Sequence, residues 1–106
     1  IQGSASSFGW VGYSFYEHNA DVLKAFEVDG GHGCVAPTPE TIADGTYPLS
    51  RPLFIYVNKA RAAENPAVAG FVDFHLGDGI GKVTEAGYVA LTADDLAATK
   101  EAWEAG

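Results

Sequence analysis

The sequence has no methionine, a single cysteine (Cys34) and only six basic side chains against fourteen acidic ones. One cysteine cannot close an intramolecular disulfide, so the chain neither requires nor excludes an oxidising compartment. A formal charge of -8 repels nucleic acid and anionic membrane surfaces, which removes nucleic acid from the expected partners. No apolar run approaches the ~20 residues needed to span a bilayer as a helix. The opening Ile1-Gln2-Gly3 has neither a charged n-region nor an apolar h-region and reads as starting in mid-strand, so this end is expected to come from processing, proteolysis or design rather than from an initiation codon.

What is present is enough for one compact domain: 106 residues, 47% hydrophobic, without repeats or low-complexity tracts. The stretch Tyr47-Pro-Leu-Ser-Arg-Pro-Leu-Phe-Ile-Tyr-Val57 organises it. Pro48 and Pro52 bias Tyr47 and Arg51 toward extended backbone, and Leu53, Ile55 and Val57 would face one side with Phe54 and Tyr56 on the other. Apolar residues on both faces predict a central strand covered on both sides.

The remaining elements follow from local signals. Gly9-Trp10-Val11-Gly12-Tyr13 reads as a short strand, and Ser14-Phe15-Tyr16-Glu17 has capping-box spacing that predicts a helix from Phe15, with Phe15, His18, Asn19, Val22 and Leu23 along one face. Ala25–Asp29 alternates apolar and acidic residues and predicts a strand ended by Gly30-Gly31. Thr38-Pro39 caps a short helix that stops at Gly45. Asn65-Pro66 opens a longer one with Val68, Phe71, Val72, His75 and Leu76 at helical spacing. Gly77-Asp78-Gly79 interrupts it, Gly87 ends a short continuation, and Tyr88–Leu91 is an extended link. Thr92 caps a closing helix, on which Leu96, Thr99 and Trp103 share a face, with Trp103 expected to anchor it on the sheet around Leu53–Val57. Strands alternating with helices predict an α/β fold with a mainly parallel sheet flanked by helices.

The run Thr38–Val57, with Asn65-Pro66, Phe71-Val72-Asp73-Phe74, Gly87-Tyr88-Val89 and the upstream Gly9-Trp10-Val11-Gly12-Tyr13, resembles the substrate-binding protein of bacterial phosphate ABC importers, over about the last third of such a two-domain chain. The resemblance implies the C-terminal portion of a two-lobed type II periplasmic binding protein: residues 1–29 ending the second lobe, 30–52 forming the crossover and hinge, and 53–106 returning to the first lobe. It implies capture of inorganic phosphate in the periplasm or outside the cell, with or without a lipid anchor, and delivery to an ABC permease. It implies no enzyme and no cofactor. The partners expected of a fragment are its missing N-terminal portion or another copy of itself. A free-standing interaction or structural module of the same fold is the alternative; a hydrolase lacks an assembled nucleophile, base and oxyanion hole.

The family holds the dianion with hydroxyls, helix N-terminal amides, an Arg and a carboxylate, and its Arg followed by Ser-Gly-Thr does not occur in this sequence, so no ligand residue transfers by position. Ser6 and Ser7, with Ser4, could offer hydroxyls to an oxyanion or be a solvated loop. Arg51 could contact the oxyanion or brace the segment between its two prolines. His32 and Cys34 are two of the four ligands that a zinc site needs, or a loop pair without an orienting third group. His75 reads as a core-edge histidine, Asp94 and Asp95 as helix-start charges, and Tyr13, Phe15 and Tyr16 as packing aromatics.

Overall fold

The computed structural model describes residues 2–106; Ile1, at which the sequence reading begins in mid-strand, lies outside the described residues. The chain divides into a first unit ending at Ser50 and a second unit, Arg51–Gly106.

In the first unit, helix α1 spans Tyr13–Glu17 and starts two residues earlier than the capping-box spacing predicts. Gly12 is the cap, its carbonyl accepting from the Phe15 and Tyr16 amides at 3.0 and 3.3 Å, and no side chain caps the helix. With Tyr13 inside the first turn, its ring reaches that of Tyr16 one turn on, at 6.1 Å between centroids. The helix ends after Glu17. His18 Nδ1 lies 2.6 Å from the Ser14 carbonyl, and Asn19 Nδ2 donates to the Phe15 carbonyl at 2.8 Å, so polar side chains compete for the acceptors that a longer helix would use.

Strands β1 (Val28–Asp29) and β2 (Cys34–Val35) form an antiparallel ribbon in which Val28 faces Val35 and Asp29 faces Cys34. Cys34 therefore lies in a strand and not in a loop. Residues 9–13 form no strand, and the pairing expected from Ala25 begins only at Val28. The Phe8 and Phe26 rings instead meet at 5.8 Å. Helix α2 (Pro39–Ala43) is the one the sequence predicts: Thr38 Oγ1 accepts from the Thr41 amide, and Thr41 Oγ1 accepts from the Thr38 amide. Threonine at both ends of this box does what Ser and Glu usually do.

The second unit opens with the stretch expected to be the central strand. Residues 51–58 belong to no helix or strand, and no backbone amide or carbonyl of 53–57 finds a backbone partner among the described residues. The described residues contain a two-stranded antiparallel ribbon and no parallel ladder. A segment apolar on both faces reads as a strand from sequence, yet becomes one only when another strand lies beside it. Here Leu53 is 74% and Tyr56 91% exposed.

Helix α3 (Lys59–Glu64) follows, an element the sequence reading leaves out. Asn58 caps it, accepting from the Arg61 amide at 3.1 Å. Asn65 ends α3 by donating its amide to the Arg61 carbonyl at 2.9 Å, and begins α4 (Pro66–Leu76) by accepting from the Ala67 amide at 3.0 Å. On α4 the expected apolar stripe divides. Val72 and Leu76, one turn apart, are 5% and 7% exposed and form the buried core, whereas Phe71 turns outward and stacks on His75 at 6.2 Å. A 3₁₀ turn at Asp78–Lys82 and the left-handed Gly87 (φ 83°) lead to α5 (Ala93–Glu104). Thr92 Oγ1 accepts from the Asp95 amide and donates to the Asp95 carboxylate.

Trp103 anchors α5, but on a helix. Its Nε1 donates to Asp73 Oδ1 of α4 at 2.6 Å, and among the described residues 53–57 form no sheet on which it could dock as expected from the sequence. Because this bond is solvent-accessible, Trp103→Phe is expected to cost about 1 kcal/mol, well short of the loss of a buried ring. Leu76→Ala should cost about 2 kcal/mol or more, since it empties half of the buried pair. Urea denaturation followed by far-UV circular dichroism measures both; a larger loss at Trp103 than at Leu76 would relocate the core.

Candidate functional site

An oxyanion site needs donors that converge and are not already in use. Ser4, Ser6 and Ser7 do share one turn. Ser7 donates its amide to the Ser4 carbonyl at 3.1 Å, Ser6 donates its amide to Ser4 Oγ at 3.3 Å, and the Ser4 and Ser6 hydroxyls lie 3.1 Å apart. The turn thus engages the Ser6 and Ser7 amides and one of the Ser4 and Ser6 hydroxyls internally. All three serines are exposed, and no cation lies within the turn. Arg51 belongs to the second unit, is exposed, and makes no hydrogen bond or ion pair among the described residues.

Four of the five α-helix N-termini among the described residues are similarly occupied, α1 having no side-chain cap. Thr38, Asn58, Asn65 and Thr92 each place a side-chain oxygen on a first-turn amide of α2, α3, α4 and α5. An incoming anion would have to displace these caps.

Two amides do converge in the first unit, at the hairpin loop. Gly31 and Gly33 donate to Asp29 Oδ1 at 2.7 and 3.0 Å. Both glycines have positive φ, 106° and 101°, a backbone state that L side chains rarely adopt, and this turns their N–H groups toward one point. The carboxylate of Asp29 fills that point. Its pKa is lowered, first by the Gly31 amide and then by the Gly33 amide, because both stabilise the charged form. Asp44 is lowered in the same way by the Thr46 hydroxyl at 2.6 Å and the Thr46 amide at 2.8 Å. The sequence reading passes over the Asp29 turn, although Asp-Gly-Gly-X-Gly is a legible signal for it.

The other expected residues stay apart. Cys34 is exposed, and among the described residues no three His, Cys, Asp or Glu side chains are grouped to hold a metal. Tyr13 has its pKa raised, by partial burial first and then by the Glu17 carboxylate, as fits a packed ring. An open hollow of about 430 Å³ lies between Gln2, Val11, Phe15, Asn19 and Leu23, and Gln2 Nε2 donates to Asn19 Oδ1 across it at 2.9 Å. None of these side chains is cationic. No helix of the described residues is long and apolar enough to cross a membrane.

A family model described as a PBP superfamily domain matches residues 3–78. The chain belongs to the PBP superfamily. Among curated proteins it is 48% identical over 86 residues to Protein SphX of Synechocystis sp., an alignment covering 80% of this chain and 26% of that protein. It is 41% identical over 96 residues to the phosphate-binding protein PstS of Staphylococcus saprophyticus, covering 90% of this chain and 30% of the relative. To the phosphate-binding protein PstS of Staphylococcus aureus (strain USA300) it is 45% identical over 91 residues, 85% of this chain and 28% of the relative. The chain therefore spans under a third of the length of these relatives. No solved structure matches. The superfamily match takes in the first unit from Gly3 and the second as far as Asp78, so helix α5 lies beyond it.

The Asp29 turn yields a pH expectation. A depressed folded-state pKa means that the turn's stabilisation is fully present above the ordinary aspartate value of about 3.9, and is lost as pH falls through the lower folded value. Gly31 and Gly33 amide shifts followed by NMR should titrate together with a midpoint below the ordinary value, and Asp29→Ala should abolish that titration. A midpoint at or above the ordinary value would mean that the amides do not hold the carboxylate.

Proposed function

We propose that this chain is the scaffold and hinge portion of an extracytoplasmic phosphate-binding protein that delivers inorganic phosphate to an ABC importer. The reading rests on 41% and 45% identity to two proteins named as phosphate-binding, along 90% and 85% of the chain. Its second support is chemical: the N-termini of α2 to α5 and the converging amides are engaged by the chain's own side chains, as expected of a part that supports an anion site built elsewhere. In this assignment residues 1–29 end the second lobe, 30–52 carry the crossover and 53–106 return to the first lobe. Segment 53–57 would be a strand of the larger protein's sheet. The permease and the sequence missing from this stretch are its partners, and catalysis has no part in the role.

Calorimetric titration of the chain with inorganic phosphate tests the division of labour. Expected is no binding tighter than about 1 mM, worth only ~4 kcal/mol, because no set of free donors converges. A micromolar constant lost in Ser6→Ala, Ser7→Ala or Arg51→Ala would place the site in this stretch and overturn the scaffold assignment.

A further inference from the structure

Three aspartates are followed directly by glycine: Asp29-Gly30, Asp44-Gly45 and Asp78-Gly79. Such a pair has a chemistry of its own. The glycine nitrogen is uncrowded because no Cβ stands beside it, and it can attack the preceding side-chain carboxyl carbon, Cγ, to close a five-membered ring. All three aspartates are exposed, so access to water does not separate them. Their hydrogen bonds do.

Ring closure requires Cγ to turn onto the next nitrogen. It also requires the acid form, since a carboxylate is a poor electrophile and has no hydroxyl to expel as water. Asp29 Oδ1 is held by the Gly31 and Gly33 amides at 2.7 and 3.0 Å, and Gly30 packs on Pro48, whose Cγ lies 2.8 Å from where a Gly30 Cβ would stand. Asp44 Oδ1 accepts from the Thr46 amide and hydroxyl at 2.8 and 2.6 Å, and the Gly45 amide is given to the Ile42 carbonyl at 3.4 Å. Led by the Gly31 amide at Asp29 and by the Thr46 hydroxyl at Asp44, these bonds lower both pKa values and so deplete the acid form. Asp78 is not restrained in this way. Its carboxylate makes no hydrogen bond or ion pair among the described residues, and the cation four positions on, Lys82, is taken by Glu85 at 2.8 and 3.0 Å. The 3₁₀ turn that contains it begins on a long bond, Ile80 amide to Gly77 carbonyl at 3.4 Å, and such turns hold their backbone with poorer hydrogen-bond geometry than an α-helix.

We infer that Asp78-Gly79 is a site of spontaneous covalent rearrangement, at which the main chain passes from the α- to the β-carboxyl linkage. The Gly79 nitrogen bonds to Asp78 Cγ and loses its proton while the carboxyl loses its hydroxyl, so one water leaves and a cyclic imide forms. Water then adds back to the imide. Opening at Cγ restores the original chain, whereas opening at the Asp78 backbone carbonyl carbon leaves a β-linked aspartate of the same mass, with no oxidant, reductant or cofactor consumed. The β-linkage lengthens the main chain by one carbon where there is little room: a Cβ at Gly79 would lie 2.9 Å from the Phe74 carbonyl oxygen and 3.1 Å from its ring. Rearrangement is therefore expected to part the 3₁₀ turn from the end of α4. The inference is independent of the phosphate-binding reading, and its test involves no phosphate.

The 106-residue chain is incubated at about pH 5, where a fraction of each free carboxyl is protonated, with and without denaturing urea. Proteolytic peptides are then resolved by liquid chromatography and electron-transfer mass spectrometry, which tells β-linked from α-linked aspartate. Expected in the folded chain is β-linked product at residue 78 accumulating about tenfold faster than at 29 or 44, roughly the factor for releasing a hydrogen-bonded side chain, and nearly equal rates in urea. Thr46→Val removes one of the bonds to Asp44 and should raise the rate at 44 severalfold with no change at 78. Asp78→Glu, which would need a six-membered ring, should remove the signal at 78 with an unchanged circular dichroism spectrum. Equal rates at the three sites in the folded chain, or a faster one at 29 or 44, overturn the inference. So does a folded chain unreactive at 78, which would show that the 3₁₀ turn keeps Asp78 from its neighbour. A Thr46→Val chain with an unchanged rate at 44 would overturn hydrogen bonding as the cause of the selection.

Discussion

The second unit turns on Asn65. Its backbone amide closes α3 through the Arg61 carbonyl, and its side chain opens α4 through the Ala67 amide, so a single residue serves two helices at once. Pro66 is tolerated there because the amide it lacks would have had no partner in the first turn. With the start of α4 fixed, Val72 and Leu76 take the inward face and Phe71 the outward one. Moving the start by one residue would rotate that face by about 100° and bring a different side chain into the core. Burial in this unit thus follows from a polar contact.

Most of the other polar contacts are as local as this one. The caps, the Asp29 turn and the Asp44–Thr46 bonds all join residues within five positions of each other. Gln2–Asn19 and Trp103–Asp73 are the longer side-chain bonds, separated by 17 and 30 residues. Local bonds shape turns, but they bury little apolar area, and area is what offsets the entropy of ordering a chain. Trp10, Phe54 and Tyr56 accordingly remain largely exposed. Large exposed aromatics grouped along a chain mark surfaces that expect a cover.

This locality explains what could be read from the sequence. Thr38-Pro39, Asn65-Pro66 and Thr92 announce three helix starts because a cap depends on the residue and its next three neighbours. Gly12, not Ser14, is the cap of α1, with Tyr13 and Tyr16 paired one turn apart, and α3 escapes notice because six residues show no apolar period. The sheet was the least legible. A strand is defined by its neighbour, and alternation within Leu53–Val57 specifies a face without specifying a partner. For the candidate site, the absence of Arg followed by Ser-Gly-Thr was legible, whereas the closure of the Asp29 turn depends on the positive φ of Gly31 and Gly33.

At most points where donors gather, the chain's own oxygens already meet them. At a helix start or a glycine turn, unsatisfied amides would attract phosphate whether or not the position served transport. Here Thr38, Asn58, Asn65 and Thr92 satisfy the helix starts, and Asp29 supplies its own anion to the turn. Negative charge spread over both units opposes a further anion by its field, and the basic flanks of Leu53–Val57 are the local exception. A part so arranged suppresses competing weak sites, which favours a single strong site formed where donors are left free.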